Sequence, residues 1–94
     1  MSDIRVTASP TSTGWTCEVR VSDGGSTSRH RVLVSHADLA RLAPADEGPE
    51  DLVRRSFEFL LEREPKESIL ASFELSLIGR YFPEYERTVG PAGR

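Results

Sequence analysis

The stretch WTCEVRVSDGGSTSRHRVLV, Trp15 to Val34, alternates apolar and polar residues on both sides of Asp23-Gly24-Gly25-Ser26. Alternation with a period of two marks a half-buried strand, and adjacent glycines accept the positive φ angles of a tight turn. The segment therefore predicts a β-hairpin. A two-residue Gly24-Gly25 loop sets Val21 opposite Ser28, Val19 opposite His30, Cys17 opposite Val32 and Trp15 opposite Val34. The inward sets of both strands then share one face, an agreement that a one-residue slip would destroy. The other face carries Thr16 opposite Leu33, Glu18 opposite Arg31 and Arg20 opposite Arg29, one favourable and one unfavourable charge pair.

Upstream, IRVTA (Ile4 to Ala8) alternates in the same way before SPTSTG breaks it, which adds a strand and makes residues 1–35 a β-meander. Downstream, Ser35 can cap a helix with Asp38 in its acidic first turn, and Pro44 ends it. After the linker ADEGPED, Pro49 suits a first helical turn with Glu50 and Asp51 at the positive end of the dipole, so a long helix is predicted from Pro49 to about Glu64. Its apolar residues, Leu52, Val53, Phe57, Phe59, Leu60 and Leu61, spread over roughly 200°, wider than a helix resting on one surface needs. The helix is thus expected to be central and covered on two sides, with Asp51 and Arg55 paired across one turn. Pro65 ends it and can open another helix to about Phe73 with Ile69, Leu70 and Phe73 inward. Ser76 can cap a last short helix, Leu77 to Phe82, before Pro83. The predicted fold is α+β and a single domain over 1–94. A three-stranded antiparallel N-terminal sheet packs on a C-terminal helical half (36–88), and a Gly- and Pro-rich tail (89–94) is expected to fray.

The 94 residues leave room for one core, and 37% hydrophobic with 29% charged residues is ordinary for a soluble globular chain. No apolar run approaches the about 18 residues of a membrane span. The start MSDIRVTASP lacks the apolar core of a secretory signal, and Cys17 stands alone, so a cytoplasmic location is expected. Formal net charge is −3, without the concentrated basic footprint that phosphate binding uses.

Candidate chemistry is sparse. His30, His36 and Cys17 are the imidazoles and the thiol, and none has a partner at metal-ligand or catalytic spacing. Cys17 falls on the inward face, and Gly24-Gly25 sits in a hairpin rather than between strand and helix, where a phosphate loop would lie. No enzyme activity, cofactor or metal is expected. Residues 66–82, with ILASFELSLIGRYF, have the spacing of a helix-turn-helix, which makes a DNA-binding regulator the alternative reading. Against it, the second helix offers Arg80 as its only base, contains Gly79 and is followed by Glu84 and Glu86. Arg5, Arg20, Arg29 and Arg31 gather on the outer sheet face, but Glu18 lies among them and no aromatic is interleaved, so nucleic acid is not the expected partner. The cluster RYFPEYE places Tyr81, Phe82 and Tyr85 beside Arg80 and Arg87. Tyrosine and arginine favour interfaces, while a small core also needs its aromatics as a lid. Arg80, Tyr81, Tyr85 and Arg87 are accordingly the candidate partner-binding residues.

The wording LVRRSFEFLLEREPKESIL followed by RYFPEYE resembles the C-terminal half shared by a group of small bacterial proteins with no assigned activity. It covers about half the chain. The resemblance implies a bacterial, single-domain, cytosolic protein and brings no substrate or catalytic residue. The expected function is a small non-enzymatic interaction module or accessory subunit of a bacterial cytosolic complex, with a protein as the expected partner and a homo-oligomer left open.

Overall fold

Positive φ angles at Gly24 (62°) and Gly25 (87°) close the predicted hairpin in the computed structural model, which describes residues 3–90. Strands β1 (Asp3–Pro10), β2 (Gly14–Asp23) and β3 (Ser26–Ser35) form an antiparallel meander. The β2–β3 register is the predicted one, from Val21↔Ser28 to Trp15↔Val34. β1 joins through Ile4↔Val21, Val6↔Val19 and Ala8↔Cys17. The shared apolar face is the floor of the core, with Cys17, Val19, Val21, Val32 and Val34 all buried.

The sheet has a fourth strand. β4 (Ser72–Glu74) lies parallel to β3, with Arg31↔Ser72, Val32↔Phe73 and Leu33↔Glu74 in register, so the sheet is mixed and the expected three-stranded antiparallel sheet is corrected. The helix expected from Pro65 to Phe73 does not form. A single 3-10 turn, Lys66–Ser68, is followed by extended backbone at Ile69. The edge of β3 decides this. Arg31 N donates to the Ala71 carbonyl at 2.7 Å, Leu75 N to Leu33 at 2.9 Å, and the His30 ring bonds the Leu70 carbonyl at 2.7 Å. A helix over these residues would leave that edge unpaired against the core, where an unmade backbone bond is expensive. Leu70, expected inward, is 49% exposed, while Ile69 and Phe73 are buried as expected.

Helix α1 (His36–Leu42) starts on a full capping box, with Asp38 N donating to Ser35 Oγ at 3.0 Å and Ser35 N to the Asp38 carboxylate at 3.3 Å. Helix α2 (Pro49–Leu61) is shorter than predicted but central. Phe57 lies 5.2 Å from the His30 ring and 6.2 Å from Phe73 on the sheet side. Phe59 lies 5.8 Å from Phe82 and 5.3 Å from Tyr85 on the other. The wide apolar arc is thus covered twice.

Arg55 does not pair with Asp51, which Arg54 takes at 3.5 Å. It forks onto Glu47 at 2.9 and 2.5 Å and also donates to the carbonyls of Val89 and Leu42. Helices α3 (Leu77–Tyr81) and α4 (Tyr85–Val89) complete the chain. Ser76 precedes α3 without the expected side-chain cap. Of the tail expected to fray, Val89 is buried at the end of α4, and residues 91–94 lie outside the described part. No helix among the described residues is long and apolar enough to cross a membrane.

Candidate functional site

A groove of about 400 Å³ opens where the last turn of α2, the segment 68–73 and α3 meet. Its floor is apolar: Leu60 from α2, Phe73 from β4 and Ile78 from α3. Its rim carries Leu70 and Tyr81, 49% and 67% exposed, two of the large apolar side chains that the fold leaves in water. Glu64 and Ser68 supply polar atoms at one side. The groove exists because the chain enters β4 as an extended strand instead of a helix. Leu70 is turned outward while its carbonyl is held by His30.

That hydrogen bond fixes the histidine. A carbonyl only accepts, so Nδ1 carries the proton, and in the neutral ring Nε2 accepts from Ser28 Oγ at 2.8 Å. Both ring nitrogens of this buried residue are therefore used, Nδ1 in holding β3 to the groove segment and Nε2 within β3. His36 lies exposed at the start of α1, edge-on to Trp15 at 4.9 Å. Cys17 is fully buried, and burial, followed by the charges of Glu50 and Glu18, pushes its thiol up to about 11. Such a thiol is protonated at neutral pH and packs as a small apolar residue. Among the described residues no three His, Cys, Asp or Glu side chains converge at metal-ligating range.

The four candidate partner-binding residues separate. Tyr81 lines the groove, and Arg80 precedes it, exposed, on α3. Arg87 is exposed on α4, away from the groove lining. Tyr85 is 1% exposed. Its hydroxyl lies 2.7 Å from Ser56 Oγ, which is 2.8 Å from the Leu52 carbonyl. Since the serine proton goes to that carbonyl, the phenol donates to the serine. Burial pushes the phenol up to about 12, and the residue belongs to the core.

Beside the groove, Arg63 lies over the Phe59 ring at 3.6 Å and reaches Glu84 at 3.2 Å. The Glu84 carboxyl is held below the usual range by its own backbone N–H and by Arg63. Leu70 does not stand out as a rim residue in the sequence, where the segment's spacing predicts a helix that would turn it inward. The alternation Phe73-Glu74-Leu75, with Phe73 and Leu75 buried and Glu74 exposed, is the strand signal that was present. The same segment bears on the helix-turn-helix reading of residues 66–82, which needs two helices where the chain makes one 3-10 turn, a strand and α3. Comparison with protein-family models, with curated proteins and with solved structures finds no match to this chain.

Proposed function

We propose that this protein is a small non-enzymatic interaction module, an adaptor or accessory subunit of a bacterial cytosolic complex, that takes a protein partner in the groove beside α3. The observation that carries this reading is the pairing of an open apolar groove with Leu70 and Tyr81 exposed on its rim. Exposed tyrosine beside an apolar pocket is the usual composition of an interface centre, where one anchor supplies much of the affinity. Arg80, next to Tyr81 on α3, offers a charged rim.

The test is capture of partners from bacterial lysate with the wild-type chain, with Tyr81→Ser and with Leu70→Ser, each repeated after nuclease treatment. A stoichiometric protein retained by the wild type after nuclease is expected to be lost, or weakened about 30-fold, in both variants. Recovery dominated by nuclease-sensitive nucleic acid, or a partner indifferent to both substitutions, overturns the reading. A second copy of the chain as the occupant shows itself as a dimer in solution that the same variants dissociate.

A further inference from the structure

Three arginines stand in one row across the outer face of the sheet. The registers set Arg5 opposite Arg20 and Arg20 opposite Arg29, on three neighbouring strands, with all three side chains exposed. Arg31 lies two residues along β3 from Arg29 and is paired with Glu18 at 2.8 Å, while Arg5 reaches Asp3 at 3.3 Å. Arg20 and Arg29 make no ion pair among the described residues. Like charges directly opposite across a sheet are destabilising. Folding gains nothing from this row, and an anionic partner would.

We infer that the outer face of the sheet is a second docking surface, for a partner helix that carries an acidic stripe. The spacing favours a helix. Neighbouring strands lie about 4.8 Å apart, so the row spans about 9.6 Å across its two intervals. Acidic residues at i, i+3 or i+4, and i+7 of a helix span about 10.5 Å along its axis. A helix laid across the strands therefore meets each guanidinium with one carboxylate, in the paired geometry arginine favours. A second copy of the chain does not match. Its longest helix, α2, presents Asp51 and Glu58 seven residues apart but interrupts them with Arg54. Single-stranded nucleic acid does not match either, because Arg5, Arg20, Arg29, Arg31, Thr7 and Glu18 leave no aromatic platform beside the row and the chain as a whole is acidic.

The experiment uses two fluorescent alanine-rich helical peptides of about 20 residues. One carries three glutamates at i, i+4 and i+7, and the other has the same composition with the glutamates scattered round the helix. Binding is followed by anisotropy to the full chain and to Arg20→Ser and Arg29→Ser. The striped peptide should bind at least about tenfold more tightly than the scattered one, lose about tenfold in either variant, and weaken as salt is raised. Tyr81→Ser should leave it unchanged, which separates this face from the groove. Equal binding of the two peptides, no binding, indifference to the arginine substitutions, or tighter arginine-dependent binding of a single-stranded RNA of equal charge overturns the inference.

Discussion

Gly14 begins β2 with a φ of 158°, and a Cβ built on it would lie 2.0 Å from the Val34 carbonyl oxygen. Neither atom can retreat without breaking the β2–β3 ladder. Gly14→Ala should therefore cost about 2 kcal/mol or more, read as a fall in the urea midpoint; an unchanged midpoint would show that the strand end shifts freely. Arg20 offers the opposite case, a side chain whose removal should help. Arg20→Thr relieves repulsion on both sides and should raise stability by about 0.5 kcal/mol in low salt, a gain that shrinks as salt is added.

Tyr85 ties stability to alkaline pH. Its phenol titrates at about 12 in the folded chain against about 10 unfolded, and the Cys17 thiol at about 11 against about 8.5. The unfolded chain releases these protons first, so their stabilising contribution is complete below about pH 8.5 and is lost as pH rises to about 12. Tyr85→Phe should cost about 1 kcal/mol at neutral pH through the lost bond to Ser56, and should flatten the loss between about pH 10 and 12. Urea midpoints of both chains across that range check it, and equal slopes would count against the burial of the phenol.

At the scale of elements, β4 is held to β3 by backbone hydrogen bonds and by one side chain, His30. His30 joins Ser28 on β3 to the Leu70 carbonyl and packs against Phe57 of α2. His30→Ala leaves that carbonyl unpaired and opens space beside Phe57, with an expected loss of about 2 kcal/mol. Hydrogen exchange should localise the change, with faster exchange at Leu75 N and little at the β1–β2 ladder. Uniform acceleration through the sheet would mean that β4 is not a separable unit. This element was also the one hardest to read from sequence. The β2–β3 hairpin has nine cross-strand pairs beyond its turn pair that agree on one register. β4 has three residues and a parallel neighbour reached only through the intervening helices, so local pattern carried little of its signal.

For the whole molecule, Arg55 closes the C-terminal half. Its guanidinium forks onto Glu47 in the linker and donates to the carbonyls that end α1 and α4. Arg55→Ala would strand a largely buried Glu47 and two carbonyls, an expected loss of about 3 kcal/mol. Arg55→Lys should recover only a minority of it, because an ammonium cannot reproduce the fork. Thermal denaturation of the pair of variants tests this, and full recovery by lysine would reduce the interaction to charge alone. Together with α2, covered by the sheet on one side and by Phe82 and Tyr85 on the other, this clamp lets so short a chain share one core.

Local pattern settles the hairpin and its register, the capping serine that starts α1, and the two-sided character of α2. Each rests on contacts between residues near in sequence or on a periodicity long enough to count. Tertiary structure decided the rest. It drew residues 69–75 to the open edge of β3, turned Leu70 out and Tyr85 in, gave Arg55 to Glu47, and lined Arg5 up with Arg20 and Arg29. Those outcomes depend on backbone groups and charges brought together from distant parts of the chain, whose unmet hydrogen bonds outweigh the weak local preference of the segments that satisfy them.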